Sequence, residues 1–148
     1  MKTVIQRVNR ASVTIDGETV GAIDRGLVIL VGVGPNDSDA DARWLASKIA
    51  VMRIFEDDDG KFNRSLLDVG GSALVVSQFT LYADAVQGRR PSFFKAAPPA
   101  MADALISRFV TYLHEAGVPC VETGRFGARM LVEIYNDGPV TILLDREA

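Results

Sequence analysis

The run Gly26-Leu27-Val28-Ile29-Leu30-Val31-Gly32-Val33 contains no polar side chain. A short, β-branched run of this kind reads as a strand, and without alternation it has no face to offer water. Both of its faces must therefore be covered. Ala73-Leu74-Val75-Val76 repeats the pattern and passes directly into Ser77-Gln78-Phe79-Thr80-Leu81. At 148 residues the chain suits one domain. Folding at that size hides roughly 70% of the unfolded chain's surface, so a single core suffices. Internal repeats, linkers and low-complexity segments are absent from the sequence.

The remaining elements can be read around these two strands. Val4 to Val8 and Ala11 to Ile15 are rich in β-formers, and Asp16-Gly17 marks a hairpin before Glu18 to Ile23, so the opening is a β-meander. Ser38 with Asp41 three residues on marks a helix start, and Ala42, Leu45, Ala46, Ile49 and Met52 supply one apolar helical face. Pro98-Pro99 precedes a second helix, with Met101, Leu105, Phe109, Tyr112, Leu113 and Ala116 on its apolar face and Gly117 past its end. Strands follow near Val118 to Thr123, Met130 to Tyr135 and Val140 to Leu144, the last two joined by Asn136-Asp137-Gly138-Pro139, whose residues favour a hairpin turn. The expectation is one α+β domain over residues 1–148, with an antiparallel-rich, barrel-like sheet of seven or more strands and two helices.

Composition narrows the chemistry. A net charge of −3 argues against coating nucleic acid through a broad basic field, although a grip on the tip of an RNA remains open. The single cysteine, Cys120, reads as a buried structural thiol in a reducing compartment. The opening Met1 to Val8 lacks the apolar stretch of a secretion signal, and no run approaches the roughly 20 apolar residues of a membrane helix. Cytoplasm is the expected location.

Several familiar engines fail. Gly32-Val33-Gly34-Pro35 has two glycines of a dinucleotide fingerprint, but Asp37 stands where the third should be and no βαβ unit follows. The acidic turn Asp57 to Gly60 would place the first ligand of a calcium loop on Phe55. One histidine, His114, sits at the end of a helix, and with one cysteine it makes no typical zinc site. Carboxylate-only metal sites remain open. A Ser-His-Asp or Cys-His engine would have to use His114, so an enzyme built on this chain works through backbone donors, hydroxyls or groups of its own substrate.

Two segments carry more than scaffolding. Ser77 to Thr80 places hydrogen-bonding side chains where a buried strand leaves the core, either capping the backbone or presenting hydroxyls and amides to a ligand. Asn136 to Thr141 reads as a turn when taken alone. Together they resemble the two signature motifs of the D-aminoacyl-tRNA deacylases, Ser-Gln-Phe-Thr and Asn-x-Gly-Pro-x-Thr. The likeness extends over Gln6-Arg7-Val8, Phe62 to Leu66, Arg90-Pro91-Ser92-Phe93 and Thr123 to Met130, essentially the whole chain. Arg89 departs from the asparagine frequent in the family at that position.

The resemblance implies a homodimer, with active sites at the subunit interface, that removes D-amino acids and often glycine from the 3′-terminal adenosine of tRNA without metal or other cofactor. It implies a reacting centre at Ser77, Gln78, Phe79 and Thr80, with the amides of Phe79 and Thr80 at the ester. It places the adenine near Met130. It also makes Gly138-Pro139 a cis peptide that reaches into the partner's site, steadied by Arg7. Arg89, Arg90 and Lys95 are available to phosphates, or simply to solvent. Two other readings stand beside this one: a non-catalytic module that binds RNA ends or nucleotides, and a metabolic dimer acting on a free small molecule.

Overall fold

A computed structural model describes residues 1–146. Strand β1 (Lys2–Ile15) and its return partners β2 (Glu18–Ile23) and β3 (Gly26–Gly32) form one long antiparallel hairpin about Asp16-Gly17. Both turn residues have positive φ, 49° and 80°, as such a tight reversal requires. The two N-terminal strands expected separately are thus a single strand. It pairs with β3 over residues 2–8 and with β2 over residues 11–15.

On its other side β3 pairs in parallel with β6 (Ser72–Ser77), which pairs in parallel with β7 (Val121–Thr123). The free edge of β1 takes β8 (Leu131–Asp145), completing a six-stranded sheet. The sheet curls almost into a barrel, because β2 folds over towards β7. A methyl group on Gly21 would lie 2.6 Å from the carbonyl oxygen of Thr123, so only glycine fits there. A separate small hairpin joins β4 (Phe55–Glu56) and β5 (Phe62–Arg64).

The uninterrupted apolar run of β3 now has its cause. Leu27, Ile29 and Val31 point into a core formed with helices α1 (Asp39–Val51) and α3 (Pro99–Glu115), around Leu45, Ile49, Phe109 and Leu113. Val28 points the opposite way, into the barrel interior with Val8, Val13, Leu74 and Val76. Each helix begins as its sequence indicated. At α1 the Asp41 carboxylate accepts from the Ser38 amide at 2.8 Å and from its hydroxyl at 2.6 Å, and α3 has Pro99 in its first turn.

Two helices were expected, and the described residues form three. The additional one, α2 (Leu66–Val69), spans a single turn, capped by Ser65 and ended by Gly70 at φ 60°. It is too short to show helical periodicity, which is why the apolar pattern did not reveal it. Among the described residues no helix is long and apolar enough to cross a membrane.

Candidate active site

Strand β6 is buried on both faces through Val76 and emerges at Ser77. The Gln78 amide still donates to the Val31 carbonyl at 2.8 Å, and the chain then winds into a 3-10 turn, Phe79–Tyr82. The first hydrogen bond of this turn runs from the Leu81 amide to the Gln78 carbonyl at 3.2 Å, so the amides of Phe79 and Thr80 precede it. The turn lies across the end of β3. A methyl group on Gly32 would come within 3.0 Å of the Gln78 carbonyl oxygen, and one on Gly34 within 2.9 Å of the Tyr82 hydroxyl. The two glycines that mimic a dinucleotide fingerprint therefore make room for this turn. The Gln78 side-chain amide donates to the Thr80 hydroxyl.

Ser77, Gln78 and Phe79 border a cavity of about 740 Å³, within the range of small-molecule sites. Its other walls are aromatic or aliphatic, among them Phe93, Phe94, Phe126, Met130 and Val132. Phe79 meets Phe93 edge to face, with ring centroids 5.0 Å apart. An antiparallel bridge between Asp84 and Ser92, two bonds of 2.8 Å, fixes the segment that delivers Phe93. On the opposite side Met130 packs where Gly124 lacks a side chain, since a methyl group there would sit 2.5 Å from the methionine sulfur. None of the residues bordering the cavity is ionisable. Thr80 is exposed and does not line it. The aromatic walls Phe94 and Phe126 were not singled out from sequence, although Phe126 and Phe93 lie in segments that carry the family resemblance.

The second motif does not make a hairpin turn. Residues Leu131–Asp145 form one strand, and Asp137 to Val140 interrupt its ladder with β1 between the pairs Val8–Asn136 and Gln6–Thr141, where the register shifts. Turn-forming residues here build a bulge in a continuous strand. The Asn136 side chain holds it, its oxygen accepting from the Val140 amide at 2.9 Å and its nitrogen donating to the Thr141 hydroxyl at 3.2 Å. The Gly138-Pro139 peptide is cis.

Arg7 stands on β1 opposite the break and is only 5% exposed. Its Nε donates to the Asp137 carbonyl and an Nη to the Ile54 carbonyl, both at 3.0 Å. The Glu56 and Asp137 carboxylates lie 3.6 and 3.7 Å from the guanidinium. Arg7 and Gly138 border a polar depression of about 320 Å³, and neither they nor Pro139 border the aromatic cavity. Within one chain, then, the structure gathers Ser77, Gln78, Phe79 and Met130 in one place and Arg7, Gly138 and Pro139 in another.

The other candidates fall outside both places. His114 is exposed in the last turn of α3. Cys120 is exposed, not buried as expected, because it precedes β7 on the surface. Lys95 is engaged by Asp84 at 2.9 Å, and that contact holds the Asp84 carboxyl below its ordinary range. Arg89 and Arg90 are exposed, with no side-chain partner among the described residues. The Asp57 carboxylate caps its own turn, accepting from the amides of Asp59 and Lys61 at 2.9 and 3.0 Å.

Comparison with known proteins agrees with this geometry over nearly the whole chain. The family model described as D-Tyr-tRNA(Tyr) deacylase matches residues 4–145. A Roseiflexus castenholzii protein named D-aminoacyl-tRNA deacylase is 61% identical over 145 residues, covering 98% of this chain and 92% of its own. A protein of the same name from Thermotoga petrophila is 57% identical, with 98% and 97% covered. Among solved structures, the c-Myc DNA Unwinding Element Binding Protein superposes with a TM-score of 0.93 at 41% identity, both chains covered completely. A probable eukaryotic D-amino acid tRNA deacylase shares the fold, with a TM-score of 0.84 at 18% identity over 98% of each chain. The chain belongs to the D-Tyr-tRNA(Tyr) deacylase family, whose named activity is hydrolytic.

Proposed function

We propose that the protein hydrolyses the ester between a D-amino acid and the 3′-terminal adenosine of tRNA, acting in the cytoplasm as a homodimer. The observation that carries this reading is the aromatic cavity whose polar wall is the end of β6 at Ser77 and Gln78. A flat, uncharged base suits walls of Phe79, Phe93 and Met130, and stacking on aromatic side chains is how unpaired RNA ends are commonly held. The ester then lies at the polar wall. Water attacks its carbonyl carbon, the bond to the ribose oxygen breaks, and a proton passes to that oxygen, releasing tRNA and a free D-amino acid. The amides of Phe79 and Thr80 stabilise the oxyanion, and one such donor is commonly worth about 10²–10³ in rate.

With no ionisable side chain bordering the cavity, the vicinal ribose hydroxyl of the substrate orients the water. The Thr80 hydroxyl accepts from Gln78 and, among the described residues, hydrogen-bonds to no base that would make it a nucleophile. The separation of Gly138-Pro139 from the cavity in a single chain supports a site completed by the partner's copy. Main-chain carbonyls there, steadied by Arg7, enclose the α-amino group and exclude an L side chain, while glycine passes. Such a filter reads handedness without reading the side chain.

The test is purified protein with matched D- and L-aminoacyl-tRNA, ending in ribose or in a terminal sugar without the free vicinal hydroxyl. Rapid release of D-amino acid alone, collapsing with the deoxy end while binding persists, is the expected result. Equal cleavage of the L form refutes the filter. Binding without release would make this an RNA-end module, and equal cleavage of simple D-amino-acid esters would make it a small-molecule hydrolase.

A further inference from the structure

Beside the aromatic cavity lies a smaller one of about 120 Å³, and Ser77 and Phe126 border both. It opens between α3 and the chain leaving β7, with Asp103 and Ser107 on the helix and Thr123 and Arg125 on the strand side. Asp103 and Arg125, both exposed, border the same small space, and neither pairs with the other or with any side chain among the described residues. The hydroxyls of Ser77, Ser107 and Thr123 are likewise without partners there. Two opposite charges that border one cleft without pairing suit a group that donates to the one and is anionic or accepting towards the other. The space equals that of about four waters at ~30 Å³ each, which matches one pyrimidine ring.

We infer that this cavity binds the nucleotide preceding the terminal adenosine, the penultimate cytidine of the tRNA tail. The inference rests on the deacylase reading, which places adenine in the adjoining cavity. Cytosine offers an exocyclic amine, the donor that Asp103 accepts, and ring acceptors for the hydroxyls. Its phosphate meets Arg125, and Phe126, shared by the two cavities, provides an aromatic surface between consecutive bases. The second base thereby adds affinity for the tail beside the end of β6 and leaves the placing of the ester to the adenine.

Uncharged RNA tails ending in CCA or CUA, and tRNAs carrying either end and chemically charged with D-tyrosine, test this directly. For the wild-type protein, replacing the penultimate cytidine by uridine should raise Kd and KM about fivefold to tenfold, the lower part of the range for one base-edge contact, and leave kcat unchanged. Asp103→Asn presents an amide donor to the O4 of uracil, so it should erase or invert the preference. Arg125→Ala should weaken both tails alike and reduce the slope of log Kd against log salt by about 0.7.

Equal Kd for CCA and CUA overturns the inference, as does an Asp103→Asn protein that loses affinity equally for both. Inhibition by free D-tyrosine that Asp103→Asn abolishes, without any cytidine preference, would assign the cavity to a zwitterionic amino acid instead. The binding arm separates the two levels of reading. A wild-type protein that prefers CCA but releases no amino acid sinks the deacylase, whereas one that deacylates both ends with equal KM sinks only the cytidine site.

Discussion

Replacing Arg7 by methionine keeps an unbranched apolar stem and deletes the guanidinium. Two hydrogen bonds from a cation to main-chain carbonyls are lost, to Ile54 in a fully buried setting and to Asp137 in a partly buried one. Such bonds contribute about 1.5–3 kcal/mol each, and a buried carbonyl left without a donor costs about 1–3 kcal/mol. The nearby carboxylates of Glu56 and Asp137 are about half exposed and more than 3.5 Å away, so their share is near the ~0–1 kcal/mol of surface pairs. Water can replace the donor at Asp137 but not at Ile54. The expected loss is therefore about 3 kcal/mol, a large part of the ~5–15 kcal/mol that holds a typical domain together. In a chain of this length it lowers Tm by about 6–12 °C. Arg7→Lys keeps the charge but cannot span two carbonyls with one ammonium, and should recover less than half of the loss. Thermal and urea unfolding at fixed protein concentration supply the measurement, with deacylation assayed well below both melting points. Activity should fall beyond the unfolded fraction, because the Asn136 to Pro139 bulge loses its anchor. An Arg7→Met protein melting within about 2 °C of the wild type would refute this reasoning.

Gly32→Ala places a methyl 3.0 Å from the Gln78 carbonyl oxygen. It should cost about 1–3 kcal/mol of stability and lower kcat about tenfold by shifting the turn that carries Phe79; unchanged kcat would mean that the turn's position is uncritical. Mixing Pro139→Ala with Phe79→Ala subunits should restore about a quarter of wild-type activity, because half the dimers are mixed and each has one intact site. No recovery, or a fully active monomer, would place both motifs in one subunit's site. The Asp41 carboxyl is held below its ordinary range chiefly by the Ser38 hydroxyl, assisted by the Ser38 amide and Arg146. Its contribution is complete above the ordinary aspartate value of about 3.9 and lost as pH falls through the lower folded value. Asp41→Asn should remove about 1 kcal/mol at neutral pH and flatten the acid limb of the unfolding curve; an unaltered acid limb counts against this role.

What the sequence disclosed depended on whether a local pattern had one structural solution. The apolar run of β3 admits only a doubly buried strand, and Ser38 with Asp41 admits little but a helix start. Asn136 to Pro139 had two solutions, a reversal between strands or a bulge within one. Local chemistry is the same for both, and only the pairing of β8 with β1 on either side of the break decides between them. Ser65 with Asp68 capped a helix too short to be periodic. At the site, Ser77 to Thr80 and Met130 were legible because a motif marks them. Asp103, Ser107 and Arg125 were not, since a helix and a loop about 20 residues apart must fold together before they share a cavity.

Val76, Met130 and Val132 line the aromatic cavity on one side and pack into the barrel interior on the other. The protein thus has no separate floor beneath its ligand. Trimming one of these side chains to admit a bulkier group also removes packing from the interior, as a cavity-forming substitution does. Adaptation to new ligands is consequently freer at the rim, where Phe94 is 97% exposed and can be exchanged without touching the core. Lineages that vary what they accept should therefore differ first at the rim, and changes at the floor should be accompanied by compensating ones at Val28 or Leu74 across the barrel.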